Sequence, residues 1–340
     1  MDRVTRRQVL AQLASLGLLA ALPAHVLASI VSAKPAPTGF DADSTAEDVT
    51  EGLDLTGKTY AITGANSGLG LETMRVLAMR GAHVICIART QEKADAACAG
   101  IEGNTTAMFL DLADFPSVVA CAERIRALDI PLDGLVCNAG IMALQERELA
   151  NGVEKQFCVN HLGHFILINQ LLDTVKSADA GRFVILSSAA HESAPDYGIQ
   201  FDDLAWETTE YVPWTAYGHS KLANALCSRE LAKRLGDSGT TSNSLHPGVI
   251  NTNLGRHLPW YMKLGGALFG WTFMKNVQEG AATQTLVAAS PMAGGVNGYY
   301  WSDCNVAEGS VFVTDDEMAA RLWQVSEELT ADYLPAPGEQ

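Results

Sequence analysis

The stretch that most limits what this chain can fold into is "KTYAITGANSGLGLETMRVLAM", residues 58–79. A short run of β-forming residues passes through a turn rich in glycine and straight into apolar residues spaced three and four apart. In such a turn, Thr63 to Gly70, glycines let the backbone approach a pyrophosphate while the amides of the following helix point at it. Gly64 suits the tight turn, Gly68 removes a side chain where phosphates would sit, and Gly70 lets helix and strand pack closely. Asn66, Ser67 and Leu69 complete the same turn.

The pattern then repeats. "AHVICIAR", "TAMFLDL", "LDGLVCNAG", "GRFVILSS" and "TSNSLHP" are short apolar runs stopped by Gly, Asn, Pro or Ser, as buried parallel strands are. Between them "FPSVVACAERIRAL", "VEKQFCVNHLGHFILINQLLDTV" and "AYGHSKLANALCSRELAKRLG" carry helical periodicity. Alternating strands and helices around one long core predict a single α/β domain with a doubly wound parallel sheet. The second strand ends in Ala88 and Arg89. An acid there would bind both ribose hydroxyls of NAD, whereas a guanidinium pairs with a 2′-phosphate, so Arg89 favours NADP(H), with NAD(H) as the alternative.

At 340 residues and 48% hydrophobic the chain can fill a large core. A net charge of −16 without a basic stripe argues against a nucleic-acid partner. The seven cysteines, Cys86 and Cys137 among them, show no metal-ligand spacing, and neither do His161, His164, His191, His219 and His246. Residues 1–33 differ in kind. Arg6 and Arg7 precede an uncharged, moderately apolar run ending in small residues, which resembles a twin-arginine export signal; the alternative is a membrane anchor. Residues 34–52, rich in Pro, Ser, Thr and acids, read as a flexible linker, 53–335 as the folded domain and 336–340 as a tail. The chain is therefore expected to use the twin-arginine export machinery and to be periplasmic or membrane-associated, or else anchored on the cytoplasmic face.

Taken together, several motifs resemble the short-chain dehydrogenase/reductases. They are TGxxxGxG at Thr63–Gly70, the Asp111–Leu112 pair of "LDL", Asn138–Ala139–Gly140, and YxxxK at Tyr217 and Lys221. Within that family "NSGLGLET", "VNHLGHF", "LSSAAH" and "HSKLANAL" are most similar to the retinol dehydrogenase and WW-domain oxidoreductase group. The resemblance implies a Rossmann-type fold. It also implies Tyr217 as general acid/base, Lys221 lowering the tyrosine pKa and binding the nicotinamide ribose, Ser188 polarising the substrate carbonyl, and Asn160 holding a water that links the lysine to solvent. Asp111 and Leu112 would meet the adenine. In "HPGVINT", Pro247 and Gly248 would shape the turn over the nicotinamide, with Ile250 and Thr252 contacting the cofactor.

The aromatic-rich segment 255–276 and the insertion 191–214 suggest an apolar substrate pocket, the former doubling as a candidate surface for a membrane or a second subunit. The expected partner is a small apolar carbonyl or alcohol, with a homo-oligomer as in many relatives. The rival reading is a noncatalytic NADP(H)-binding sensor or scaffold on the same fold. A complete proton-transfer set at Asn160, Ser188, Tyr217 and Lys221 argues against it, since a binding module needs none.

Overall fold

The structure, a computed structural model, describes residues 34–250 and 275–336. The export-signal reading, Thr252, most of the aromatic segment and the end of the tail lie outside the described residues.

Among the described residues eight strands form one sheet and two more a hairpin. In chain order the strands are β1 (Thr59–Thr63), β2 (His83–Ala88), β3 (Asn104–Phe109), β4 (Gly134–Cys137), β5 (Leu149–Ala150), β6 (Val153–Glu154), β7 (Arg182–Leu186), β8 (Thr241–His246), β9 (Tyr300–Ser302) and β10 (Asn305–Val306). The sheet runs β10-β9-β8-β7-β4-β1-β2-β3, while β5 and β6 make the separate hairpin. All neighbours in the sheet are parallel except β10 on β9. β1 and β4 are buried along their whole length, as strands covered on both faces must be.

Alternation along each strand divides the core. Tyr60, Ile62, Val84 and Val184 join α1 (Gly68–Met79), α2 (Gln91–Ala99) and α7 (Val277–Ala289) on one face. Ala61, Ile85, Leu135 and Phe183 join α3 (Phe115–Arg126), α4 (Gly163–Gln170), α6 (Pro213–Leu235) and α8 (Asp316–Thr330) on the other, with α5 (Leu172–Lys176) following α4. The molecule is thus the expected single Rossmann-type α/β domain with a doubly wound sheet.

Three local expectations differ. The linker reading holds poorly for residues 38–52, because Ala46, Val49 and Thr50 are buried. Thr38 donates from Oγ1 to the Cys304 carbonyl (3.0 Å) and from its amide to Asn305 Oδ1 (2.9 Å), while Arg75 ties Glu47 to Glu72. A few small apolar residues spaced along a polar stretch suffice to dock it, so the compact unit starts at Thr38, not Leu53. The long helix expected over 153–175 is instead interrupted. A turn of helix at Lys155–Phe157 passes through a π-helical turn, Cys158–Leu162, before α4 and α5. Finally, β9 and β10 extend the sheet beyond β8, past the strands picked out from the sequence.

Candidate active site

Strand order reverses between β1 and β4, so the loops leaving their C-terminal ends part and open a crevice. The two loops are locked together there. Asn138 Nδ2 donates to the Thr63 carbonyl (2.8 Å), and the amides of Asn138 and Ala139 donate to Thr63 Oγ1 (2.9 and 3.0 Å). Gly64 and Gly68 have φ of +69° and +56°, which favours glycine. At Gly70 a Cβ would lie 2.6 Å from both Asn138 Nδ2 and the Gly64 carbonyl oxygen. The amides at the start of α1 have no side-chain cap, unlike those of α2, which Thr90 caps. Uncapped amides behind a glycine cradle fit a pyrophosphate. A Gly70→Ala variant should therefore melt lower by roughly 2–4 kcal/mol of stability, from overpacking plus a lost hydrogen bond. Calorimetry should show NADPH affinity falling at least about tenfold, because the displaced loop is the one shaped for the phosphates.

Arg89 stands exposed just past β2 and makes no ion pair among the described residues. Beyond β3, Asp111 Oδ1 accepts from the Ala113 amide (3.0 Å) while its own amide donates to Ser117 Oγ (3.0 Å). Leu112 is buried against Gly163, where a Cβ would come 2.5 Å from the Leu112 carbonyl oxygen.

The residues expected to transfer protons lie next to this cleft. α6 carries Tyr217 and Lys221 one turn apart, both buried, and Gly218 lets the helix press onto the loop after β7: a Cβ there would sit 2.3 Å from the Ala190 carbonyl oxygen. The Ser188 hydroxyl lies near enough to the Tyr217 phenol to favour its ionised form, against the larger effect of burial. Ser188 Oγ already accepts from the Ala190 amide (3.1 Å), which leaves its own proton to be donated. Ser187 does other work, donating to the Lys221 carbonyl (2.7 Å) from a buried position. Lys221 Nζ donates to the Leu186 carbonyl (2.9 Å), and an ideal Cβ on Gly140 would be 3.6 Å from Nζ and 3.1 Å from Asn160 Oδ1. Gly140 therefore lies between Lys221 and Asn160.

Asn160 sits in the π-helical turn. Its Oδ1 accepts from the Ile141 amide (2.8 Å), and Nδ2 donates to the Ile141 carbonyl (3.0 Å) and to Ser220 Oγ (2.9 Å). The side chain is thus committed to these partners, and the main-chain carbonyl is engaged as well. That carbonyl accepts from His164 Nδ1 (2.9 Å), and His164 Nε2 is 2.9 Å from Thr63 Oγ1. Donation from Nδ1 leaves Nε2 as acceptor, so Thr63 receives two backbone amides and passes its own proton to a neutral His164. Burial holds His164 near 4, which keeps it neutral. Sequence reasoning missed this tie between the glycine-rich turn and Asn160, since His164 reads there as an ordinary core histidine.

Electrostatics correct one expectation. Burial raises the Tyr217 phenol to about 12, with the Ser188 hydroxyl opposing it, and burial lowers Lys221 to about 8. The ammonium is 5.8 Å from the centre of the tyrosine ring, and burial outweighs any acidifying effect of Lys221. Past β8, Gly248 (φ +100°) follows Pro247 and packs on Lys275, and the side chains of Ile250 and of Leu69 in the glycine-rich turn both lie against Gly280. Trp214 meets the Tyr217 ring edge-on at 6.0 Å. Among the described residues no His, Cys, Asp or Glu cluster could hold a metal.

Known proteins share this architecture. A family model, short chain dehydrogenase, matches residues 58–198. The chain is 42% identical to short-chain dehydrogenase TIC 32 B, chloroplastic, from Brassica napus, over 90% of this chain and 98% of that one. It is 38% identical to human retinol dehydrogenase 13, over 84% and 88%. A crystal structure of an uncharacterised Mycobacterium paratuberculosis protein superposes with a TM-score of 0.67 at 36% identity, covering 84% of this chain and 98% of that one. A Pseudomonas aeruginosa RhlG/NADP active-site complex does so with 0.57 at 26%, covering 73% and 95%. The chain belongs to the short-chain dehydrogenase/reductase family, and its chemistry is that of an oxidoreductase using a nicotinamide cofactor.

Proposed function

We propose that the protein is an NADP(H)-dependent oxidoreductase acting on an apolar aldehyde, ketone or alcohol. The observation that carries this reading is the placement of buried Tyr217 and Lys221 one helical turn apart on α6, with half-buried Ser188 beside the phenol and the glycine-rich cleft next to them. The bound cofactor would supply the hydride, and its pyrophosphate fits the uncapped start of α1. In reduction, Ser188 donates its free proton as a hydrogen bond to the substrate oxygen and Tyr217 transfers its phenolic proton to the same oxygen. Lys221, largely protonated at neutral pH, then faces the phenolate and stabilises it until a proton returns past Asn160. Trp214, with its edge on Tyr217, gives the substrate an apolar wall.

Arg89 supports the choice of NADP(H), because an exposed guanidinium without an ionic partner among the described residues is free for a 2′-phosphate. The relative solved as an NADP complex agrees with that choice. Turnover by residues 38–340 of apolar aldehydes and ketones, followed at the NADPH absorbance with NADH in parallel, tests the reading. Binding of NADPH without turnover across a broad panel would favour the sensor. An Arg89→Glu variant should lose about 10- to 100-fold in kcat/KM with NADPH, from a missing charge-assisted hydrogen bond and a new repulsion, and little with NADH. Equal losses with both would remove the 2′-phosphate argument.

We also read residues 1–33 as a twin-arginine export signal, on the strength of the Arg6–Arg7 pair and the uncharged run that follows it. Among the described residues no helix is long and apolar enough to cross a membrane. Cell fractionation with protease accessibility checks this; an uncleaved cytoplasmic protein defeats it.

A further inference from the structure

The peptide unit joining Ser188 to Ala189 is held at both its polar atoms by imidazoles from different elements. His191 Nδ1 lies 2.6 Å from the Ser188 carbonyl oxygen, which also accepts from the His191 main-chain amide (3.0 Å), and the Ala189 amide donates to His246 Nδ1 (3.1 Å) at the end of β8. The next amide, of Ala190, closes onto Ser188 Oγ. This segment carries the serine read above as aiming a hydroxyl proton at the substrate.

His191 has no freedom of its own. It is 2% exposed, packs its ring against Tyr300 at 5.1 Å, and accepts at Nε2 from the Ser310 amide (2.9 Å). A nitrogen that accepts from an amide carries no proton, so Nδ1 carries it and donates to the Ser188 carbonyl. Burial depresses the His191 pKa, which keeps that neutral tautomer. Ser310 follows β10 and opens a 3-10 turn, Val311–Thr314, far along the chain from the motif residues.

We propose that His191 is a positioning residue for Ser188: one ring nitrogen fixes the Ser188 carbonyl while the other is anchored on the Ser310 amide, so the C-terminal segment sets the aim of the serine hydroxyl. The inference rests on the reading of Ser188 as the group that touches the substrate carbonyl. With the 188–189 peptide plane fixed and Oγ accepting from Ala190, the Ser188 side chain has one rotamer left, and its proton points toward Tyr217 and the substrate. If the plane is released, the hydroxyl turns away although every motif residue is still present.

The two ring nitrogens can be tested separately. Asparagine places an amide near the position of Nδ1 and keeps the donation to Ser188, whereas glutamine reaches the position of Nε2 and keeps only the Ser310 contact. His191→Asn should therefore retain kcat within about threefold, while His191→Gln should lower kcat by roughly 10- to 100-fold with an unchanged NADPH KM, as expected when an interaction made only in the transition state is removed. A third variant, Ser310→Pro, removes only the anchoring amide, at a residue whose φ of −57° proline accepts without strain. It should lower kcat several-fold and leave NADPH binding intact. Melting temperature and NADPH affinity, measured for each variant, keep misfolding separate from mispositioning. Equal activity of the Asn and Gln variants, or losses that follow melting temperature in all three, would overturn the assignment. Absence of turnover in the unaltered protein would instead count against the reductase reading. In that case the rotamer claim is read from the Ala190 amide, whose NMR shift should move in His191→Gln and not in His191→Asn; the reverse pattern would also overturn it.

Discussion

Tyr217→Phe should lower turnover by about a thousandfold or more while leaving the folded protein and its cofactor affinity nearly intact, the size expected when a positioned general acid is removed. The change deletes one oxygen from a side chain that is only 4% exposed, so the ring keeps its packing against Trp214. The deleted oxygen has the Ser188 hydroxyl as its polar neighbour, and that serine retains its bond from Ala190, so the cost in stability is about 1 kcal/mol. Melting temperature and NADPH titration should accordingly match the unaltered protein within a few degrees and about twofold in affinity. The pH dependence follows from a phenol that burial holds near 12. Below that value Tyr217 is the neutral acid that reduction requires, so the tyrosine imposes no loss of reduction across neutral pH. Oxidation of an alcohol needs the phenolate, whose population grows tenfold for each unit of rising pH below 12, so its rate should climb as the pH rises. A variant retaining more than about a tenth of the activity, or an oxidation rate flat from about pH 7 to 10, would remove Tyr217 from the proton-transfer role.

How far the sequence goes toward this site depends on how local each signal is. The glycine-rich turn, the strands β1 to β4, β7 and β8 and the Tyr217 and Lys221 pair are legible because each depends on spacing within a few residues: period two, period three to four, or one helical turn. What escapes is contact between distant segments. Nothing near His164 in sequence shows that its ring joins Thr63 to the Asn160 carbonyl, and nothing near His191 shows Ser310 at its far nitrogen. The interruption at Cys158–Leu162 is hidden for a related reason, since an inserted π turn leaves the apolar residues on the same face while shifting the register around Asn160. The docking of residues 38–52 depends on Ala46 and Val49, two small side chains in a stretch whose average composition is that of a linker. Ser187 and Ser188 are adjacent and identical in kind, and only their contacts separate them: Ser187 is spent on the Lys221 carbonyl, while Ser188 Oγ accepts from the Ala190 amide.

Lys221 should show the opposite pattern to Tyr217, with activity lost and stability gained. Its ammonium is buried, and lowering its pKa from an ordinary 10.5 to about 8 costs the folded state roughly 3 kcal/mol at neutral pH. Lys221→Met keeps the length and apolar stem of the side chain and removes that cost. The bond from Nζ to the Leu186 carbonyl is lost as well, at about 1 kcal/mol, but this oxygen still accepts from Asn224 Nδ2 at 2.9 Å and is not left unpaired. The variant should therefore be more stable by about 1–2 kcal/mol at pH 7 and melt a few degrees higher. Below pH 8 the lysine is charged in both the folded and the unfolded chain, and the full cost applies. Between pH 8 and 10.5 the folded protein is the first to give up its proton, so the cost fades as the pH rises and the two melting curves converge. Over the same range kcat in the variant should stay at least about a hundredfold down, because no charge remains to stabilise the Tyr217 phenolate or to hold the ribose. If the variant melted lower than the unaltered protein at about pH 7 and the gap did not change toward about pH 10, Lys221 would be a structural hydrogen-bond donor. A gain in stability paired with lost turnover would mark it as a charge kept in the core for the sake of the reaction.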